Sequence, residues 1–338
     1  MKKWFFRVSA ALLAAVVLIL AGFSWQAARR EVLPAAKAAP ASGRFVKAAD
    51  LEIFVQEAGP ADGLPVVFVH GTGAWSEAWR ESMSALAATG ARAIALDLPP
   101  FGFSQRPGSA RYGKLDQGRR IVGVLDAFGI RQAVLVGHSF GGGPTMEAAL
   151  LAPDRVRALV LVDAALSVGT DDARAPEPPL LLRGFLATQP LRDSVVATFL
   201  TNPLFTRKLL QGFINDPARA TEDWVRLYQR PLVVADTTPA VGAWLPALLA
   251  PTAVAASERP ASYQGLKVPV FIIWGERDTI TPLEQGQRLA RLAPHAELAV
   301  MRNVGHIPQI EDPAGFNELL LKAVAKAAIK ASSASSSR

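Results

Sequence analysis

The chain has 338 residues, half of them hydrophobic, so it is long enough for one large domain or two small ones with a sizeable core. Its formal net charge of +7 comes from residues 1–47, because the 28 basic and 28 acidic side chains of residues 48–338 cancel; this excludes a basic nucleic-acid-binding face. The absence of cysteine excludes thiol nucleophiles, disulfides and cysteine metal sites.

The N-terminal segment has the composition of a membrane helix. Residues 8–28 contain no charged side chain, and a helix of that length matches the hydrocarbon core of a bilayer, about 30 Å. Basic residues flank this stretch on both sides, and the positive charge before it slightly exceeds the positive charge after it. This difference predicts that the rest of the chain lies outside the cytoplasm, on the periplasmic side. We predict a signal anchor over residues 1–30. The alternative is secretion after signal-peptide cleavage, although Trp25 to Ala28 offers a poor cleavage site.

The segment that follows, residues 31–44, is rich in alanine and proline and predicts a linker. From residue 45 onward, apolar runs of strand length alternate with helical patterns. The predicted strands are 45–49, 51–58, 65–69, 92–98, 132–136, 157–162, 268–274 and 298–302, and the predicted helices are 75–88, 114–128, 144–152, 283–292 and 313–329. This alternation predicts an α/β fold, in which a mostly parallel, twisted sheet carries helices on both faces.

The alternation is interrupted once. Residues 165–262 contain many apolar side chains and prolines but no clear strand pattern, which predicts a helical cap inserted into the core. The core then comprises residues 45–164 and 263–330. The serine-rich tail, residues 331–338, is of low complexity and is predicted to be disordered.

The most informative stretch is Gly137-His138-Ser139-Phe140-Gly141. It follows a β-branched apolar run and precedes a helical pattern, which is the strand–turn–helix context that the pattern G-x-S-x-G requires. A serine on so sharp a turn lifts its hydroxyl clear of the sheet, and the small glycines leave room for the strained backbone. The turn also aims the N–H of Phe140 at the place where an oxyanion would form. We predict that Ser139 is a nucleophile.

A serine hydroxyl needs a base, and the chain has four histidines. His306 lies on the loop after the last predicted strand, at the sheet edge where the sites of parallel sheets gather, and is the predicted general base. His138 lies inside the serine turn and is predicted to be structural. His70 ends a strand and is expected to support the following loop, and His295 is expected to be exposed.

The acid that orients the base should follow a neighbouring strand. Asp278 comes just after the apolar run 271–274 and is our choice, although it could instead cap a helix ahead of Thr281. Asp163, directly after another strand, is the rival. Glu276 and Asp97 are expected to fix loops.

Five motifs together resemble the α/β-hydrolase fold superfamily, in the branch with a helical cap and a serine nucleophile. They are His70-Gly71-Thr72-Gly73, the run from Asp97 to Ser104, Gly137 to Gly142, Trp274 to Asp278, and Gly305-His306. The order Ser139, Asp278, His306 is that of this superfamily. The resemblance covers about residues 45–329 and implies an oxyanion hole at the backbone N–H groups of Thr72 and Phe140. Pro100 is a departure, since the family more often has a glycine there.

The resemblance implies acyl transfer, because similar dehalogenases and epoxide hydrolases use an aspartate where this chain has Ser139. We expect a serine hydrolase that cleaves a small carboxylic ester with an apolar acyl or aryl group through an acyl-enzyme. Alternatives on the same fold are a carbon–carbon bond hydrolase of ring-fission products, a cofactor-free perhydrolase, and an amide- or lactone-cleaving enzyme. A membrane-tethered binding protein without turnover is the alternative from another class. No cofactor is implied, and no metal, because no two histidines have ligand spacing.

Overall fold

The computed structural model describes residues 1–106, 111–170, 174–175 and 177–335. Eight strands form one sheet in the order β1-β2-β4-β3-β5-β6-β7-β8. The pairs β1–β2 and β2–β4 are antiparallel and all the others are parallel, which confirms the predicted sheet. The strands are β1 Gly43–Ala48, β2 Leu51–Ala58, β3 Pro65–Val69, β4 Arg92–Leu96, β5 Ala133–His138, β6 Val156–Val162, β7 Val270–Gly275 and β8 Ala296–Met301.

Helices cover both faces of the sheet. They are α1 Lys2–Arg30, α2 Ala35–Ala38, α3 Arg80–Ala87, α4 Lys114–Ala127, α5 Gly142–Leu151, α6 Leu180–Ala187, α7 Gln189–Phe199, α8 Pro203–Phe213, α9 Glu222–Gln229, α10 Thr237–Leu249, α11 Pro260–Gln264, α12 Leu283–Leu292, α13 Pro308–Glu311 and α14 Pro313–Ser335. Successive strand residues face opposite sides, so Val67 and Val69 of β3 belong to the apolar cluster that includes α4, α5 and α12, while Val66 and Phe68 belong to the cluster that includes α3 and α14. Every residue of β5 and β7 is buried, which is why these strands are uninterrupted apolar runs.

Helices α6 to α11 lie between β6 and β7, where the sequence predicts the inserted cap. A separate apolar cluster joins this cap to the core: Trp75 and Phe103 from the core pack with Leu210, Ile214 and Trp224 from the cap. The indole N–H of Trp75 also donates to a backbone carbonyl of α9. The cap is therefore packed on the same sheet edge from which the serine turn projects.

The structure differs from the predictions in two segments that were expected to be irregular. The supposed linker is docked, because Leu33 pairs with Val234 as an isolated β-bridge and α2 packs against the cap–core cluster. Alanine is small enough to allow that close approach, and composition alone cannot distinguish such a segment from a flexible linker. The tail is helical as far as Ser335, since alanine continues the helical pattern of α14. Residues 336–338 lie outside the described residues.

The N-terminal helix α1 has the features that the sequence predicts. It is long and apolar enough to cross a membrane over Trp4–Arg30. The side chains from Trp4 to Ile19 are exposed in the structure, and burial against the rest of the chain begins at Leu20.

Candidate active site

Ser139 lies at the end of β5 on a strained turn. Its φ angle is +52°, in the left-handed region that non-glycine residues seldom adopt. The glycines on either side are required for close packing. A Cβ on Gly137 would lie 2.5 Å from the Thr145 hydroxyl, and one on Gly141 would lie 2.5 Å from the carbonyl oxygen of His70. A short helix begins at Ser139, so the N–H of Phe140 has no partner within it.

The three predicted side chains form one hydrogen-bonded chain. The Ser139 hydroxyl is 2.7 Å from His306 Nε2, and His306 Nδ1 is 2.8 Å from Asp278 Oδ2. Because a carboxylate only accepts, Nδ1 carries the proton and Nε2 is free to accept from the serine. All three side chains are buried. The imidazole is therefore held in the tautomer that a general base needs.

Asp278 is fixed from several directions. Its Oδ1 accepts from the N–H of Ile280 at 2.8 Å and of Thr281 at 2.9 Å, and its Oδ2 also accepts from the Thr281 hydroxyl at 2.6 Å. Burial by itself raises the pKa of Asp278, but the hydrogen bonds from His306 and Thr281 more than compensate, and the pKa is lowered. Asp278 is therefore charged at neutral pH.

The rival acid, Asp163, lies behind Asp278. Its Oδ1 accepts from the N–H of Gly275 at 2.8 Å, and its Oδ2 has no hydrogen-bond partner among the described residues. Burial, and then the charge of Asp278, raise the pKa of Asp163 well above the usual range. Asp163, Asp278 and His306 are close enough for their polar atoms to lie within 4.8 Å of one another. The carboxylate that contacts the imidazole is nevertheless that of Asp278.

The remaining histidines have the structural positions that the sequence suggests. His70 Nε2 accepts from the N–H of Leu98 at 2.8 Å, and burial lowers the pKa of His70 to about 4. His138 Nε2 donates to the backbone carbonyl of His306 at 2.7 Å, and burial lowers the pKa of His138 to about 3. Both rings are therefore neutral and hold loops in place. His295 is exposed.

The two acids expected to fix loops do so. Asp97 Oδ1 accepts from the N–H of Ser76 at 2.7 Å and Oδ2 from that of Phe103 at 2.6 Å, while burial raises the pKa of Asp97 to about 6. Glu276 accepts from the N–H of Asn303 at 3.1 Å.

A cavity of about 160 Å³ opens beside the serine. Thr72, Ser139 and His306 are part of its wall, and apolar cap residues form much of the rest: Leu209, Leu210, Phe213, Val241 and Trp244. The backbone N–H of His306 donates to the backbone carbonyl of Phe213 at 2.9 Å, so the cap contacts the loop of the base directly.

Sequence reasoning missed three residues of this site. The hydroxyl of Thr281 contacts both Asp278 and, at 3.2 Å, His306 Nδ1. The carboxylate of Glu311 accepts from the N–H of Gly305 at 2.9 Å and from that of Asn215 at 2.7 Å, which ties the histidine loop to the cap. Of these residues, only Thr281 could have been found from the sequence, because it follows Asp278 by three positions.

The third missed residue, Arg106, brings a cation to the apolar cavity wall. Its Nη2 donates to the carbonyl of Gly102 and to the hydroxyl of Thr237, each at 3.0 Å, and its Nη1 donates to the carbonyl of Ser104 at 3.2 Å. Its Nε is buried and has no hydrogen-bond partner among the described residues. No carboxylate forms an ion pair with Arg106 in the part of the chain that the structure describes. Burial lowers the pKa of Arg106 to about 10, so it remains charged at neutral pH.

With this fold and geometry, the chain belongs to the α/β-hydrolase family. The family model described as the alpha/beta hydrolase fold matches residues 65–313, and the protein is a hydrolase. The chain is 32% identical over 287 residues to the 2-hydroxymuconate semialdehyde hydrolase of Pseudomonas sp. (strain CF600), covering 83% of this chain and 93% of that relative. It is 30% identical over 284 residues to the 2-hydroxy-6-oxo-2,4-heptadienoate hydrolase of Pseudomonas putida, covering 82% and 94%. It also resembles the solved structure of a mutant meta-cleavage product hydrolase from Pseudomonas fluorescens IP01 (CumD), complexed with acetates. That comparison has a TM-score of 0.66 and 29% identity, and covers 84% of this chain and 98% of that one.

Proposed function

We propose that this hydrolase cleaves a carbon–carbon bond beside a ketone in a small, conjugated keto acid. This replaces the ester as the preferred substrate, because the relatives just described are named as hydrolases of such compounds. The observation that carries the proposal is the placement of Arg106 and the serine–histidine–aspartate chain around a single, mostly apolar cavity.

Ser139 is the proposed nucleophile. His306 Nε2 takes the serine proton as Oγ attacks the ketone carbon, and the N–H groups of Thr72 and Phe140 receive the resulting oxyanion. The 2-hydroxy group of the substrate first becomes a ketone, as its proton moves to the carbon beside the ketone that is attacked. When the oxyanion collapses, the carbon–carbon bond breaks, its electron pair passes through the remaining double bond to the oxygen of the 2-keto group, and the imidazolium protonates the resulting enolate. Water, activated by His306, cleaves the acyl-enzyme. One water is consumed, and a carboxylic acid and a shortened enol acid are released.

Arg106 supports a substrate that carries its own negative charge. The guanidinium is partly buried, and although the charges of nearby acidic groups act on it, none of them forms an ion pair with it among the described residues. A substrate carboxylate would form charge-assisted hydrogen bonds with it. An uncharged ester would leave this cation unpaired. The apolar side chains around it suit the carbon skeleton of the same molecule.

The test compares a 2-hydroxy-6-oxo dienoate with neutral p-nitrophenyl acetate, using the full chain in detergent. Loss of the dienoate chromophore should report cleavage, and Ser139→Ala should lower the rate by about 10⁴-fold or more. Arg106→Met should raise KM for the keto acid roughly tenfold to a hundredfold, the worth of one charge-assisted hydrogen bond, and leave the neutral ester unaffected.

Arg219→Met, on the exposed side of the cap, is the matched control and should change neither KM. If the wild-type chain turned over the ester and left the keto acid intact, the carbon–carbon proposal would be wrong and the ester would be the better assignment. If Arg106→Met weakened both substrates equally, the arginine would have a structural role only.

We also propose that α1 anchors the hydrolase in a membrane, with the catalytic part on the periplasmic side. The length and composition of α1 support this, as do the basic residues on both sides of it. Fractionation should place the full chain in the membrane pellet after a carbonate wash, whereas release as a shortened soluble protein would support a cleaved signal peptide.

A further inference from the structure

The last third of α1 is packed on the cap. Leu20, Phe23, Ala27 and Arg30 are at least partly buried, and their spacing of three to four residues places them on one helical face. Ala27 is only 2% exposed. The part of α1 before Leu20 is exposed from Trp4 onward. From Trp4 to Ile19 it is about 24 Å long at 1.5 Å per residue and carries one charged side chain, Arg7, so it is somewhat shorter than a bilayer core of about 30 Å.

Polar contacts lock this end of α1 in place. The Ser24 hydroxyl donates to that of Ser194 on α7 at 3.0 Å. The carboxylate of Glu31 accepts from the N–H of Thr238 at 2.7 Å and from its hydroxyl at 2.5 Å, at the start of α10, where the helix dipole favours a negative charge. Arg30 donates to the carbonyl of Leu232 at 3.0 Å. The anchor is therefore fixed to the cap and does not swing on a linker.

The same contacts give the direction of the cap helices. Thr238 also bonds to Thr201, just past the end of α7, at 2.6 Å, so the end of α1 and the end of α7 lie together. One turn further along α10, a Cβ on Gly242 would lie 2.1 Å from Asp193 Oδ1 on α7. Hence α1 runs parallel to α7 and α10 runs antiparallel to it. The start of α7 and the end of α10 lie where α1 leaves the cap.

Exposed leucines gather at that end. Leu191 at the start of α7 is 45% exposed, and Leu248 and Leu249 at the end of α10 are 43% and 46% exposed. We call Leu191, Leu248 and Leu249 the apolar rim. The opposite end of the docked segment carries the charges of Arg29, Arg30 and Glu31.

We propose that the apolar rim rests on the lipid bilayer that α1 crosses, so that the cap and the cavity are held in one orientation against the membrane. The rim lies at the end of the cap where α1 leaves it, and because the free part of α1 is somewhat shorter than the bilayer core, a helix that crosses the bilayer holds that end against the lipid. The charged end of the docked segment then faces water, about 16 Å away along the 11 residues of α7. The inference rests on the proposed membrane anchor and is independent of the reaction catalysed.

Because the chain has no cysteine, single cysteines can be labelled selectively. Leu191→Cys and Leu248→Cys, each carrying an environment-sensitive NBD label, should show blue-shifted emission and strong quenching by spin-labelled lipid in phosphatidylcholine vesicles. The matched control is Leu204→Cys at the start of α8, beyond the far end of α7, which is 76% exposed and should remain in water. The full chain is used throughout.

We expect quenching at positions 191 and 248 to exceed that at position 204 at least threefold. Equal quenching at all three positions would show that the cap has no fixed orientation, and stronger quenching at position 204 would show the opposite orientation. Either result would overturn the proposal. Failure of the labelled protein to float with the vesicles would overturn it too. Turnover is not measured, so a wrong reaction assignment would leave the result intact.

Discussion

The residue whose replacement tests the site most directly is Asp278. In Asp278→Asn the amide oxygen can keep the two backbone hydrogen bonds from Ile280 and Thr281, while the NH₂ group takes the place of Oδ2. That NH₂ group then faces His306 Nδ1, which is a donor in the wild-type chain. Two donors cannot bond to each other, so the imidazole changes tautomer and carries its proton on Nε2.

With its proton on Nε2, the imidazole can no longer accept the proton of Ser139. In a serine–histidine–aspartate triad of another fold this change lowers kcat by about 10⁴-fold, and we expect a loss of the same order here. At 1.36 kcal/mol for each factor of ten, the loss corresponds to about 5 kcal/mol of transition-state stabilisation. Binding of the substrate should change little, because Asp278 is not part of the cavity wall.

The assay is steady-state hydrolysis of the preferred substrate at neutral pH, with Asp163→Asn as the matched control. Burial raises the pKa of Asp163 well above its usual range, so a neutral amide that still accepts from Gly275 is a close substitute and should cost less than tenfold. The reasoning would be refuted if Asp278→Asn lost less than tenfold, or if Asp163→Asn proved the more damaging of the two. The second result would show that Asp163 orients the base.

Two further predictions concern stability. His70 has a pKa of about 4 in the folded chain and about 6.5 when unfolded, so the unfolded state binds more protons between these values and stability falls as pH drops below 6.5. In His70→Gln the new side chain can still accept from Leu98 but does not titrate. Between pH 7 and pH 5 the free energy of unfolding of this variant, measured by denaturant titration, should therefore fall by about 2 kcal/mol less than that of the wild type. An identical fall would show that His70 is not buried in neutral form. Gly275→Ala should destabilise by about 1–3 kcal/mol, because the new Cβ would lie 2.0 Å from the carbonyl oxygen of Gly305. Gly212→Ala, in open space on α8, should instead be neutral or stabilise by up to about 1 kcal/mol, and thermal unfolding of the two variants should separate them.

The fold and the position of the serine turn could be predicted because both depend on local patterns. The apolar runs of β5 and β7 are buried on both faces, and such strands are continuous in sequence. The turn at Ser139 needs small neighbours within two residues, so its glycines are visible in the sequence. The choice of His306 followed from its place after the last strand of the sheet.

The substrate could not be read in this way. The sequence motifs indicate acyl-enzyme chemistry, which many substrates share, and from them an ester was the expected substrate. The names of the relatives instead favour a substrate that is cleaved at a carbon–carbon bond. Arg106 lies in a loop with no distinctive pattern, and it becomes part of the cavity only because that loop packs beneath α10, where Thr237 accepts from it.

The sequence by itself determined which segments are strands, where the serine turn lies, and that a carboxylate follows each of two neighbouring strands. Only the tertiary structure decided that Asp278 and not Asp163 contacts His306, and that Glu31 fixes the anchor to α10. The reason is physical: backbone conformation and burial periodicity act over a few neighbouring residues, but a hydrogen bond between residues far apart in the chain depends on how every intervening element packs.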